Sequence, residues 1–475
     1  MLDFFSSKNK HISASASVVS MAVDFVPPVS LSTCASRIEE LPDDVLYEIV
    51  YRLPCRSAIL CMSLSKHWFS LISHPYFIPG FIHHRHQIGN HYYSSEPFNF
   101  LLQHYDKFMV LPSDNSSSES FIKDFGHSGS VVDFLKFLPP QRYNKLCIEA
   151  SFNDLLLVCN EVLQFCKSDG NYYICNPLTK QWLTLPRSPP MMSSFNRPVL
   201  VGFICEPYEE SITNTNYRYK VVRIHSLTQS DKTTQLWMEI FSSETNEWCN
   251  SFVESPRELY RFSFKSKRLG VVACNGMLHW ADVDSRNGMT KGFVVLDPQQ
   301  CHLRYIGPPI LPIECFISFG VFQGRLRLFY SPISRLYECR LGYCDCENNG
   351  NNGSNISVWE LVDYDNTGTW SLKHKVCYKG IISECTTFFD KKVEEEEEEI
   401  QGPVKFIAFH QNDGDIVFLQ FSNYIVSCNM RTRVCALAAI VSMRVTSIFL
   451  LGQPSWPTPI HPLLSKFECP PPFDC

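Results

Sequence analysis

Cys339, Cys344 and Cys346, in CRLGYCDC, are the side chains of this sequence whose type and spacing come nearest to a metal site, because thiolates are soft ligands that hold zinc. A structural zinc site also needs a second Cys-x-x-Cys or a histidine pair at fixed spacing. None follows, so no metal is expected there. His83, His84 and His86, in FIHHRHQ, come directly after a helical pattern and read as a solvated connection between two domains rather than as ligands or a pH sensor. The run Glu394 to Glu399 reads as a solvated loop. In RELYRFSFKSKRLG, Arg257, Arg261, Lys265, Lys267 and Arg268 alternate with Tyr260, Phe262 and Phe264. Such alternation can bind nucleic acid, but one half-buried strand shows the same pattern, and the strand is the reading taken. Phosphate-cradling glycine loops, nucleophile elbows and His-Glu-x-x-His helices do not occur in the sequence. The expectation is therefore a chain without catalytic residues, metal or cofactor, whose work is binding.

The composition fits a large folded protein. The 475 residues are 45% apolar, enough for two or three domains with substantial cores. A net charge of −6 provides no field for nucleic acid or an anionic membrane surface, and no apolar run is long enough to span a bilayer. The 21 cysteines lack the regular spacing of a disulfide framework, which points to reduced thiols and an intracellular protein. Residues 1–36 are serine-rich, carry Asp3 and Asp24 and contain no arginine, so a disordered leader is expected rather than a transit peptide.

The elements that would do the binding fall into two classes. In LPDDVLYEIVYRL, Val45, Leu46, Ile49, Val50 and Leu53 recur on one helical face; Asp43 and Asp44 suit the first turn and Pro54 closes the segment. Ser57 is a candidate cap for a second helix through AILCMSL, and Ser65 for a third carrying Trp68, Phe69, Leu71 and Ile72. A helical segment below about 40 residues seldom buries its apolar faces unaided, which argues for a partner. From about residue 98 the pattern changes to short strands. ASFNDLLLVCN, VACNGMLHWAD, FGVFQGRLRLFY and HQNDGDIVFLQF each read as strand, tight turn, strand. YYICNPLTKQW, WMEIFSSETNEW, FVVLDPQQCHL, ELVDYDNTGTW and YIVSCNMRTRVC add a second recurrent hairpin that ends on a bulky residue. Two hairpin types alternating over about 350 residues suggest a β-propeller, with a sandwich as the main competitor and the blade number open.

Two resemblances sharpen this reading. LPDDVLYEIVYRLP…SLSKHWFSLIS resembles an F-box, the helical module that docks on a Skp-type adaptor and through it joins a cullin-based ubiquitin ligase. The resemblance implies that Leu41, Pro42, Val45, Leu46, Ile49, Leu53, Pro54, Ile59, Leu64 and Trp68 serve either adaptor contact or the small core behind it. Leu60 and Met62 stand where the family often has basic residues, which extends the apolar surface. YKVVRIHS…WMEIFSSETNEW, VVACNGMLHWAD…FVVLDP and ISVWELVDYDNTGTWSLKHKV resemble the F-box-associated domain of plant F-box proteins, a kelch-like propeller. That resemblance implies blade packing for Trp182, Trp248, Trp280, Trp359 and Trp370. The expected fold class is α+β and multidomain, a small three-helix F-box followed by an all-β propeller. The expected boundaries are 1–36 leader, 37–80 F-box, 81–97 linker, 98–452 propeller and 453–475 tail. The implied function is substrate recognition for an SCF-type ubiquitin ligase, with a Skp-type adaptor, its cullin and an unidentified client as partners, and with cytoplasmic or nuclear residence. The alternative is a scaffold or regulatory protein that uses the adaptor without ubiquitination.

Overall fold

The structure, a computed structural model, describes residue 38 and residues 41–460 apart from 89–97, 113–130, 163–170, 188–197, 208–216, 333–354, 386–403 and runs of five residues or fewer. The leader, the CRLGYCDC cysteines and the acidic run lie outside the described residues. Among the described residues four helices come first: α1 (Asp43–Tyr51), α2 (Cys55–Cys61), α3 (Lys66–Ile72) and α4 (Phe77–Ile88). Ser65 caps α3 in an extended conformation, its hydroxyl accepting from the Trp68 backbone N–H. Ser57 does not cap α2. A cap residue stands outside the helix, and α2 already begins at Cys55.

Among the described residues twenty-four strands follow, in six antiparallel four-stranded sheets. The first blade holds β1 (Phe98–His104), β2 (Lys107–Pro112) and β3 (Val131–Val132). The second holds β4 (Asn144–Phe152), β5 (Leu155–Val162), β6 (Tyr172–Asn176) and β7 (Gln181–Thr184). In the third are β8 (Leu200–Pro207), β9 (Tyr217–Ser226), β10 (Lys232–Ser242) and β11 (Glu247–Tyr260). The fourth contains β12 (Val272–Cys274), β13 (Met277–Val283), β14 (Thr290–Asp297) and β15 (His302–Ile306). β16 (Cys315–Phe322), β17 (Arg325–Pro332), β18 (Asn355–Leu361) and β19 (Trp370–Cys377) make the fifth. β20 (Lys405–Phe409), β21 (Ile416–Phe421), β22 (Tyr424–Asn429) and β23 (Cys435–Ile440) make the sixth. The last strand, β24 (Ser447–Gly452), returns to pair with β1, from Phe98 opposite Gly452 to Gln103 opposite Ser447. The architecture is a six-bladed β-propeller whose first blade is built from both ends of the domain.

The two hairpin types occupy fixed places in a blade. The first joins its first two strands: Asn275–Gly276 and Gln323–Gly324 both have positive φ, the geometry of a tight hairpin turn. The second joins the last two strands. It opens on a side chain that accepts from the backbone ahead of it, as Asn176 does from Leu178 and Thr179, Asp297 from Gln299 and Gln300, and Asn429 from Arg431 and Thr432. It closes on a left-handed residue: Lys180, Asn246, Cys301, Gly368 or Arg433. The tryptophans after these turns reach across blade junctions in two cases. Trp248 Nε1 donates to the Pro186 carbonyl and Trp370 Nε1 to the Gly307 carbonyl, each at 2.8 Å. Trp280 is fully buried, whereas Trp182 is 40% exposed beside Tyr173 of its own blade.

The core is a ring of six apolar clusters, each shared by two adjacent blades. Phe98, Phe100 and Leu102 of the first blade meet Ile407, Phe418 and Ile425 of the sixth, which closes the ring. Two ion pairs are buried within it. Arg223 and Glu239 face each other across β9 and β10 at 2.7 Å, with His225 Nε2 donating to the same carboxylate oxygen at 3.2 Å. Arg327 and Glu360 repeat the arrangement across β17 and β18 at 2.7 Å, and Arg327 also donates to the Gly414 carbonyl of the sixth blade.

Burial pushes the Glu239 carboxyl up, but the His225 hydrogen bond and the Arg223 charge override it and hold the group below its ordinary 4.5. A carboxyl depressed in the folded state adds stability that is present above its unfolded value and lost as pH falls through its folded value. Glu239→Gln leaves the Arg223 guanidinium buried without its countercharge and should cost about 3 kcal/mol at neutral pH. In thermal unfolding measured from pH 8 downward, the gap between wild type and variant should narrow below about pH 4.5. A gap that stays constant through that range would contradict the assignment.

Candidate functional site: the helical docking module

Part of α1 and α4 is closed by an aromatic cluster whose last member comes from the far end of the chain. Tyr51 packs on Phe77 and Phe81 with ring centroids 5.4 and 6.3 Å away, and Tyr47 packs on Tyr51 and Phe77. Trp456, beyond β24, meets both phenylalanines edge-on at 5.6 and 5.3 Å. Phe77 and Phe81, one helical turn apart, are fully buried. Gly80 lies between them because a Cβ there would run into the Tyr51 ring.

Two segments on either side of the propeller hold structure that the sequence reading did not give them. α4 continues to Ile88, so His83, His84 and His86 belong to a helix and not to a solvated connection, and the helix enters what was read as linker. The imidazole of His84 packs on Tyr51 in a tilted arrangement, ring centroids 5.7 Å apart. The apolar face of Phe77 and Phe81 is what carries the helix this far. Beyond 452, the chain read as tail is tied to the second blade. Thr458 N–H donates to Asp154 Oδ2 at 2.8 Å, and Asn176 Nδ2 donates to both the Asp154 carboxylate and the Thr458 carbonyl.

Packing divides the side chains singled out in the sequence. Leu46 and Trp68 are buried, as are Val50, Ala58, Leu71 and Ile72. Ile49, Leu53 and Ile59 are half-buried, and Pro54 lies outside the described residues. Leu64 is 67% exposed, and within the same ten residues so are Leu60 at 59% and Phe69 at 55%. Leu41, Pro42 and Val45 are exposed as well. Leucine and phenylalanine left open this close together are the pattern of a surface made to be covered. Trp456 was not foreseen, since no local periodicity marks a lone tryptophan between prolines.

Two buried titratable groups of the fourth blade have partners within it. Burial pushes the His279 imidazole down to about 4; its Nδ1 lies 3.2 Å from the Val272 carbonyl inside the fourth blade. The Asp282 carboxyl is pushed up to about 6 by burial, against hydrogen bonds from the Tyr260 N–H and the Tyr305 hydroxyl. Two basic side chains of the aromatic-basic stretch have partners at the surface. Arg257 lies over the Tyr305 ring at 4.2 Å, and Arg261 pairs with Asp231 at 3.5 Å. Lys265, Lys267 and Arg268 lie outside the described residues. Among the described residues no helix is long and apolar enough to cross a membrane.

A propeller preceded by a short helical module with open apolar side chains defines a binding protein of modular type. Comparison with known proteins identifies both modules. Residues 38–79 match the F-box domain, and residues 122–303 match the β-propeller described as F-box protein At3g26010-like. Among Arabidopsis thaliana relatives, the F-box protein At5g49610 is 28% identical over 72% of this chain and 81% of its own length. The putative F-box protein At3g23950 is 23% identical over 84% of each chain, and the putative F-box/kelch-repeat protein At1g15680 is 26% identical over 73% of this chain and 74% of its own. The chain thus carries an F-box domain and an F-box-protein β-propeller domain, and its relatives are plant F-box proteins. F-box domains bind Skp1-type adaptors in SCF complexes, and F-box propeller proteins are in general non-catalytic substrate receptors.

Trp456→Ala should loosen α4 without unfolding the blades. Truncating a packed aromatic commonly costs about 3 kcal/mol, and only the helical module and the 456–460 contacts depend on this one. Hydrogen exchange should rise in α4 while the strands of the fourth blade keep their protection. Uniform loss of protection across both regions would overturn this picture.

Proposed function

We propose that this chain is the substrate-recognition subunit of an SCF-type ubiquitin ligase, docking a Skp-type adaptor by its helical module and a client protein by propeller loops. The observation that carries the reading is the exposure of Leu60, Leu64 and Phe69 within the segment that matches an F-box. These three are the adaptor anchors. Leu46 and Trp68 act behind them as core, and Leu41, Pro42 and Val45 are further contact candidates by their exposure. The chain supplies no reacting group. It raises the effective concentration of the client near a charged conjugating enzyme. Cytoplasmic or nuclear residence goes with this role.

Reconstitution with adaptor, cullin and conjugating enzyme tests the proposal, using clients captured on the full chain while the proteasome is blocked. Ubiquitin chains on a captured client that vanish when residues 38–79 are deleted support it. Adaptor binding without any client modification points instead to the scaffold role. At the contact itself, Leu64→Ala with Phe69→Ala should weaken the adaptor at least tenfold, since a buried anchor is commonly worth about 2 kcal/mol. Added salt should change the affinity little, because the anchors are uncharged. Full affinity in a folded double variant would remove the assignment.

A further inference from the structure

Three cysteine sulfurs converge in the sixth blade. Cys428 on β22 and Cys435 on β23 stand directly opposite each other, and their Sγ atoms are 2.7 Å apart. Cys385, from the connection between β19 and β20, brings a third; all three sulfurs lie within 4.8 Å of one another. None of the three residues is more than 5% exposed, and the surrounding core includes Val376, Ile381, Val404, Phe406, Val426 and Met430. A buried cysteine packs like any small apolar residue; what sets these three apart is that their sulfurs converge on one point. Three thiolates around one ion are a donor set with a definite preference. Soft sulfur ligands select d10 cations such as Cu(I) and Zn(II).

We propose that Cys385, Cys428 and Cys435 form a three-thiolate site for a thiophilic d10 cation. With metal–sulfur bonds of about 2.3 Å the ligands stand about 4 Å apart, so the trio already occupies the right volume. Cys428 and Cys435 have to part by about 1 Å, a displacement that side-chain rotation within a rotamer well provides. Binding replaces the three thiol protons, which pass to solvent. No fourth His, Cys, Asp or Glu ligand joins the group among the described residues. Three-coordination suits Cu(I), while Zn(II) would need one further ligand. The bound ion would staple the connection after the fifth blade to the outer hairpin of the sixth. Since an ion held only by the folded state stabilises it, the metal supply would set the stability of this blade.

The test uses the full chain, reduced and prepared without oxygen. It is equilibrated separately with Zn(II) and with Cu(I) buffered by a competing chelator. The expected result is one ion per chain by elemental analysis, near-ultraviolet thiolate-to-metal absorption in the Cu(I) arm, and a melting temperature raised by several degrees. Cys385→Ser should lower the affinity at least 100-fold, and Cys249→Ser, at an exposed position on β11, should leave it unchanged. Stoichiometry in the wild-type chain keeps the test decisive even if Cys385→Ser fails to fold. Binding of either cation that is lost in Cys385→Ser supports the site and names its occupant. Absence of bound metal in both arms, metal binding indifferent to Cys385, or a Cys428–Cys435 disulfide in the oxygen-free preparation would overturn it.

Discussion

The pairing of β24 with β1 is the contact on which the rest of the structure depends. It joins the last strand of the domain to the first and supplies the strand that begins the first sheet. Each propeller blade has two apolar faces and can cover neither alone, so six blades are stable only as a ring. The clusters show this directly, because every one of them draws on two neighbouring blades. Opening the β24–β1 ladder would expose the phenylalanine-rich face of the first blade to water. The same closure carries the chain onward. Gly452 N–H donates to the Asn153 carbonyl of the second blade at 2.7 Å, and from there Thr458 reaches Asp154 and Trp456 reaches α4. The segment that follows the ring-closing strand therefore also packs on α4.

Buried charge adds register to this frame. Arg223–Glu239 and Arg327–Glu360 occupy matching positions on the second and third strands of the third and fifth blades, each pair directly opposed in its ladder. An apolar pair of the same size would be about as stabilising, because desolvation absorbs much of the attraction. The difference lies in the alternatives. A one-residue slip would separate two buried charges and turn every side chain of the strand to the other face. Arg327 extends the constraint across a junction by its bond to the Gly414 carbonyl, and Arg223 does so by lying over the Tyr172 ring of the second blade at 5.8 Å.

Much of this was legible locally. All five outer hairpins foreseen from turn-then-bulky segments are present, since the capping side chain, the left-handed residue and the packing residue sit within a dozen positions of one another. Blade number was not legible for a topological reason. The first blade has no such hairpin among its described residues, and its strands come from opposite ends of the domain. Distance in sequence hid the rest. Trp456 lies more than 370 residues from Phe81, and Cys385 is 43 residues from Cys428; only the folded topology unites them. In the helical module the periodicity at Val45, Leu46, Ile49 and Leu53 marked a helix face, but only packing separated buried Leu46 from exposed Val45. The histidines misled because their polarity masked the apolar spacing of Phe77 and Phe81, which decided how far α4 runs.

The aromatic contact at Trp456 bears on the proposed role of substrate receptor. A tether of flexible chain would let a held client sweep a large volume, and effective concentration falls roughly as the three-halves power of tether length. A docking module packed against the domain that does the holding removes that freedom. Phe77 and Phe81 on α4 meet a tryptophan delivered by the ring-closing strand, so α4 is fixed by the same contacts that fix the blades. The exposed Leu60, Leu64 and Phe69 then lie on a module held to the frame rather than hung from it. In the proposed role the gain is entropic. The cost of orienting the client toward the transferring enzyme is met when the chain folds and is not met again at each encounter.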